Sequence, residues 1–221
     1  MKELLLLHHF GLGDSFICNG MVNLISETVD KIYLPTLPGN LITLQCLYQD
    51  NPKVEVFVTN ENRPDSPDIQ EYSKKYKLIT CWDCGYRAAT MYRDYYNSAN
   101  IDPQTRYTHF KLPQHIPNQD FVYREVVKQE PYALIINVCS GGIKEFQVKS
   151  HLPFVYIKPG LTENALDYIK VIENASEIHT IDGAFYHLIE SIKVKAKLYF
   201  YHARYSEPGM LISPSEKWIV P

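Results

Sequence analysis

Four consecutive leucines, Leu4 to Leu7, open an apolar run that closes on His8, His9 and Phe10 and breaks at Gly11 and Gly13 before Asp14. The run is far shorter than the roughly 20 apolar residues of a membrane helix. It suits a strand buried on both faces, as in a parallel sheet, and predicts one over residues 4–9. Beyond it Phe16, Ile17, Gly20, Met21, Leu24 and Ile25 recur at helical spacing, so the segment reads as strand, glycine turn, helix. Gly11 and Gly13 permit a tight turn and a close backbone approach. The helix N-terminus would then face the place where open α/β sheets bind ligands. Asp14 has two readings there, a helix N-cap or a carboxylate with a chemical role. The loop lacks the third glycine of a dinucleotide fingerprint and the Gly-Lys-Ser/Thr ending of a P-loop, and a bare strand-glycine-helix turn also serves purely structural ends.

The same rhythm continues along the chain. Residues 31–34 read as a second strand, residues 40–48 as a helix with Leu41, Leu44 and Leu47 inward, and residues 54–58 as a third strand. Ser66 and Pro67 open a polar helix through Lys75, with Ser66 as cap, and residues 77–80 follow as a fourth strand. After the Pro-punctuated stretch 112–117, Asn118 is placed to cap a helix to about Gln129. Tyr132 to Cys139 is a second buried strand that runs into Ser140-Gly-Gly-Ile-Lys144, which reads equally as an anion cradle or an ordinary glycine turn. A strand over 154–157 leads to Thr162 as N-cap of a helix carrying Ala165, Leu166, Ile169 and Ile172. A strand over 177–182 then breaks at Gly183 into a helix from Ala184 to Ile192 with His187 in its first turns, and a last strand covers 195–201. Strands alternating with helices predict an α/β protein with mainly parallel sheets, in two Rossmann-like βαβ lobes facing a cleft. The lobes are expected over residues 1–120 and 121–221.

Composition narrows the chemistry. The 221 residues are 45% hydrophobic, enough for one sizeable α/β domain or two small ones sharing a cleft. A net charge of −3, with no basic block, argues against a nucleic-acid partner. The N-terminus is too short for a signal-peptide core and no stretch approaches membrane-span length, while five cysteines, an odd number, suggest reduced thiols, so a cytoplasmic location is expected. Cys81-Trp-Asp-Cys84 has neither a second CxxC nor an HxxxH to complete a zinc site. It also does not open a helix after the first long strand, as a thioredoxin-type pair would, so two reduced cysteines at a strand end are the expectation. Residues 86–110 hold Tyr92, Tyr95, Tyr96, Arg87, Arg93 and Arg106, either a helix with a solvated face and a connector or a surface suited to polar ligands such as sugars.

Gly11-Leu-Gly-Asp14 before an amphipathic helix, together with Ser176-Glu-Ile-His-Thr-Ile-Asp-Gly-Ala-Phe-Tyr-His-Leu188 late in the chain, resembles the heptosyltransferase-type branch of GT-B glycosyltransferases. The resemblance implies an N-terminal lobe that receives a carbohydrate or glycan acceptor and a C-terminal lobe that holds a nucleotide-diphosphate sugar donor. It places Asp14 as general base, with Gly11 and Gly13 in the same loop, and puts Asp182, Gly183, Ala184 and His187 around the donor nucleotide and diphosphate. Ser140, Gly141 and Lys144 fall where the family contacts phosphate, although the Lys-x-Trp-Pro signature common after that loop is missing. His187 also reads as a helix histidine packed under the sheet. Glycosyl transfer needs negative charge stabilised on the leaving phosphate, which helix N-termini, amides and a lysine supply, and a carboxylate to accept the proton. Backside attack would invert the anomeric centre, and with no DxD pair neither a metal nor another cofactor is expected. The competing class is a non-catalytic nucleotide- or sugar-binding module on the same fold, acting as a partner subunit.

Overall fold

The computed structural model describes residues 2–82, 91–204 and 211–221. They form two compact units, the first ending at Gln114 and the second continuing from His115.

In the first unit, β1 (Glu3–Leu7), β2 (Lys31–Thr36), β3 (Val54–Val58) and β4 (Lys77–Thr80) form one wholly parallel sheet in the order β3-β2-β1-β4. The leucine run is central and buried on both faces. Leu5 and Leu7 join Phe10 and Ile69 in one cluster, with Tyr33, Phe57, Tyr72, Tyr76 and Trp82 packed around it. The strand is shorter than expected, because His8 and His9 have left the ladder. The helices are α1 (Leu12–Ser26), α2 (Leu41–Tyr48, entered through a 3₁₀ turn at Pro38–Asn40), α3 (Pro67–Lys75), α4 (Met91–Ser98) and α5 (Thr105–Thr108).

Two details lock α1 to the helices α4 and α5. A Cβ at Gly20 would stand 2.3 Å from the Thr105 carbonyl oxygen, so only glycine allows α5 this close. The buried Tyr96 hydroxyl donates to the Ile17 carbonyl at 2.9 Å and accepts from the Met21 amide at 3.1 Å, bridging one rung of the α1 backbone ladder. Tyr95 and Tyr96 are fully buried and Arg106 is buried against the rings of Tyr92 and Tyr107. The aromatic segment therefore supplies core, and among its described tyrosines and arginines Tyr92, Arg93, Tyr95, Tyr96 and Arg106 only Arg93 is exposed; Arg87 lies outside the described residues.

The second unit opens with α6 (Gln119–Val126), which ends short of the expected Gln129. Its parallel sheet contains β5 (Ala133–Ile136), β8 (Phe154–Tyr156), β9 (Glu177–Ile181), β10 (Lys197–Tyr201) and β11 (Trp218–Ile219), in the order β11-β10-β9-β5-β8. The register aligns Trp218, Leu198, Ile178, Leu134 and Val155 in one buried apolar row across all five strands. The strand expected through Cys139 breaks at Asn137. Beyond the sheet partners of β5 the chain pairs with itself, as β6 (Val138–Cys139) and β7 (Gly142–Ile143) in an antiparallel hairpin turned by Ser140 and Gly141. Gly142 sits at φ +88°, which a side chain would strain.

Thr162 is not a helix cap. Its hydroxyl donates to the buried Asp167 carboxylate at 2.5 Å, and the cap is Asn164, whose side chain accepts from the Leu166 amide at the head of a 3₁₀ turn (Ala165–Tyr168) leading into α7 (Ile169–Asn174). The last helix, α8, covers Ala184–Ser191. Among the described residues no helix is long and apolar enough to cross a membrane, and the four described cysteines are without disulfides; Cys84 lies outside them.

Candidate functional site

Each sheet reverses its strand order once, and chemistry-bearing residues gather at the carboxyl ends of the strands beside both reversals, where open α/β sheets bind ligands. In the first unit the reversal lies between β1 and β4. The chain leaves β1 through His8, His9 and Phe10 and enters α1 with Gly11 as N-cap. Asp14 is thus the third helical residue and not the cap, and Gly13 already lies in the first turn. At that position a carboxylate is favoured by the unpaired amides and the helix dipole.

The Asp14 carboxylate is half-buried, and its Oδ1 accepts a hydrogen bond of 2.8 Å from the buried Tyr95 hydroxyl. Its Oδ2 lies over Gly11, 2.4 Å from where a Cβ there would stand. The backbone of Gly11 is extended, so the glycine is required by the neighbouring carboxylate and not by φ. The loop is pinned by the Asn40 side-chain amide, which donates to the Phe10 carbonyl at 2.9 Å. His9 donates from Nε2 to the Trp82 carbonyl at 3.0 Å, and its ring meets Trp82 and Tyr95 edge to face. His8 is buried behind the loop, with Nδ1 bonded to the His9 carbonyl. Burial holds its pKa below the ordinary histidine value, against smaller opposing contributions from that bond and from Asp14.

In the second unit the reversal lies between β5 and β9. The loop Asp182-Gly183 leads from β9 into the N-terminus of α8, and a Cβ on Gly183 would come within 3.2 Å of the Val138 carbonyl oxygen, so loop and hairpin pack backbone to backbone. The buried Asp182 carboxylate lies between two basic side chains, its Oδ1 3.6 Å from His187 Nε2 and its Oδ2 3.6 Å from Arg204 Nη1. The other end of the Arg204 fork donates to Ser140 Oγ at 2.8 Å, tying the hairpin turn to the α8 entrance. Lys144 is half-buried, its amide donating to the Asn137 carbonyl at 2.8 Å and its ammonium beside Gly141. The structure therefore brings Ser140, Gly141, Lys144, Asp182, Gly183, Ala184 and His187 into one neighbourhood. Gly11, Gly13 and Asp14 form a separate group in the first unit.

Arg204 belongs to no motif in the sequence. Its signal is modest, a cation just past the carboxyl end of β10, the strand beside β9. Among the described residues no group of three or more His, Cys, Asp or Glu side chains is placed to hold a metal ion.

Neither a protein-family model nor a curated protein sequence matches the chain. Solved structures do. The iron-containing dodecameric glycosyltransferase TibC of enterotoxigenic E. coli superposes with a TM-score of 0.59 at 12% identity, over 99% of this chain and 62% of that one. TibC in complex with ADP-D-β-D-heptose matches at a TM-score of 0.56, and E. coli ADP-heptose LPS heptosyltransferase II at 0.61, with 11% identity over all of this chain and 90% of the other. The chain thus spans less than two thirds of TibC and nearly the full length of heptosyltransferase II. The fold implied by the sequence resemblance, that of the heptosyltransferase-type glycosyltransferases, is the fold observed.

Proposed function

We propose that this chain is a glycosyltransferase that moves a sugar from a nucleotide-diphosphate donor to a hydroxyl of a carbohydrate acceptor, with inversion and without a metal. The observation that carries the reading is the Asp182 neighbourhood. A helix N-terminus, a glycine turn, Lys144 and Arg204 converge where the second sheet reverses its order. That set suits a diphosphate, whose negative charge grows as the sugar leaves. The shared fold with TibC, solved with ADP-D-β-D-heptose, supports a sugar nucleotide as the ligand.

In this reading residues 1–120 serve the acceptor and residues 121–221 the donor. The acceptor oxygen attacks the anomeric carbon from the face opposite the phosphate and its proton passes to Asp14. The carbon–oxygen bond to the diphosphate breaks, and the nucleoside diphosphate departs with the electron pair, held by the α8 amides, Ser140, Lys144 and Arg204. Gly141, Gly183 and Ala184 contribute backbone at short range, and His187 orients Asp182 from the other side.

The test is a thermal-shift panel of nucleoside diphosphates and their sugars, since a ligand that binds only the folded chain adds about 2.7 kcal/mol at 100 times its Kd. At least one diphosphate should raise the melting temperature, and Lys144→Ala and Arg204→Ala should weaken the diphosphate far more than the parent nucleoside. A flat response across the panel would overturn the proposal. Binding without any transfer would instead assign the chain as a nucleotide- or sugar-binding module.

A further inference from the structure

We propose that Tyr95 is a positioning residue for Asp14, holding its carboxylate so that Oδ2 is the oxygen that takes the acceptor's proton; the inference rests on Asp14 acting as the base. The two carboxylate oxygens are not equivalent in this fold. Oδ1 is occupied by the Tyr95 hydroxyl at 2.8 Å, from a ring with no exposed surface and so little freedom to move. Oδ2 lies over Gly11, in space that any side chain at that position would fill. A phenol donor on one side and a missing Cβ on the other select a single orientation for a side chain that would otherwise rotate.

The neighbouring tyrosine shows what packing alone requires. Tyr96 is equally buried on α4 and also sends its hydroxyl to α1, but to backbone atoms, the Ile17 carbonyl and the Met21 amide. That contact accounts for the docking of α4 on α1. The Tyr95 hydroxyl instead donates to a side chain of α1. Its acceptor is a half-buried carboxylate, and a phenylalanine would fill the same core position. The bond therefore orients a side chain at the carboxyl end of β1.

The experiment compares Tyr95→Phe, Tyr96→Phe, Asp14→Asn and the Tyr95→Phe/Asp14→Asn double variant. It follows single-turnover release of ADP from ADP-D-β-D-heptose, with water as acceptor, alongside thermal unfolding and ADP titration. Tyr95→Phe should keep its melting temperature and its ADP affinity while release slows by roughly 10- to 100-fold, the scale expected when an oriented catalytic group is loosened. Tyr96→Phe should show the converse, a lower melting temperature with release by the folded protein unchanged. The double variant should be no slower than Asp14→Asn alone, because Tyr95 acts only through the carboxylate. Wild-type release by Tyr95→Phe beside a slow Asp14→Asn overturns this inference and spares the base. Further slowing in the double variant also overturns it. Wild-type release by Asp14→Asn removes the base assignment itself and this inference with it.

Discussion

Replacing Gly20 by alanine tests whether the close seating of α5 on α1 is as tight as the geometry requires. The new Cβ would lie 2.3 Å from the Thr105 carbonyl oxygen and 3.0 Å from the Thr105 carbonyl carbon and the Arg106 Cα. Ordinary carbon contacts begin near 3.4 Å, so the two backbones must separate by about 1 Å, and no flexible side-chain end is there to give way. Overpacking of this kind costs about 1–3 kcal/mol, toward the upper part of the range when the obstacle is backbone. Alanine returns about 1 kcal/mol through its helix propensity at an interior position. The net loss is about 1–2 kcal/mol, or roughly 2–8 °C in melting temperature for a chain of this size. Gly39→Ala is the matched control, because nothing lies within 4 Å of a Cβ there. Thermal and urea unfolding followed by circular dichroism give both numbers. A Gly20→Ala protein as stable as wild type would refute the close-approach argument, since propensity alone predicts a gain.

Gly11→Ala should act differently, because the obstacle is the far end of the Asp14 side chain and not backbone. Stability should fall by no more than the roughly 1 kcal/mol expected from a poorer N-cap, while single-turnover sugar transfer slows at least tenfold; an unchanged rate would show that the carboxylate needs no room over Gly11. Stability should also decline as pH falls below the ordinary histidine value of 6.5, because burial depresses the pKa of both His8 and His179 in the folded chain. The unfolded chain then takes up protons that the folded one refuses, and the loss continues until each histidine's lower folded-state pKa is reached. Unfolding free energies of His8→Gln from urea titrations between pH 7.5 and 5.5 should fall less steeply than wild type, by up to about 1.4 kcal/mol per pH unit; an unchanged slope would mean that His8 takes no part.

Much of the scaffold follows from local pattern. Four leucines in a row can only be satisfied by burial on both sides, and they form the central β1. The Glu177–Ile181 strand and the helix after Gly183 likewise stand where apolar spacing places them. The features that the pattern did not carry depend on partners distant in sequence. Val138 and Cys139 are as strand-like as Ile135, and they leave the sheet because Gly142 and Ile143 offer a nearer ladder. Thr162 has good capping chemistry, but its oxygen accepts from the Asn164 amide while its hydroxyl donates to Asp167, and the amide of Leu166 goes to Asn164. Asp14 reads as a cap until Gly11 is found in that role. Tyr95 and Arg204 could be assigned only from geometry, since the one lies 81 residues from the carboxylate it touches and the other 64 from the serine it bonds.

The central claim is that this fold transfers sugar with Asp14 as its base, and single-turnover transfer by Asp14→Asn tests it most directly. The sugar nucleotide should be one that stabilises the protein in the thermal-shift panel. Asparagine is nearly isosteric and still accepts the Tyr95 hydroxyl through its carbonyl oxygen, so fold and donor affinity should persist. Removal of the proton acceptor predicts a rate lower by roughly 10²- to 10⁴-fold. Transfer at the wild-type rate by a folded, donor-binding Asp14→Asn protein would contradict the account.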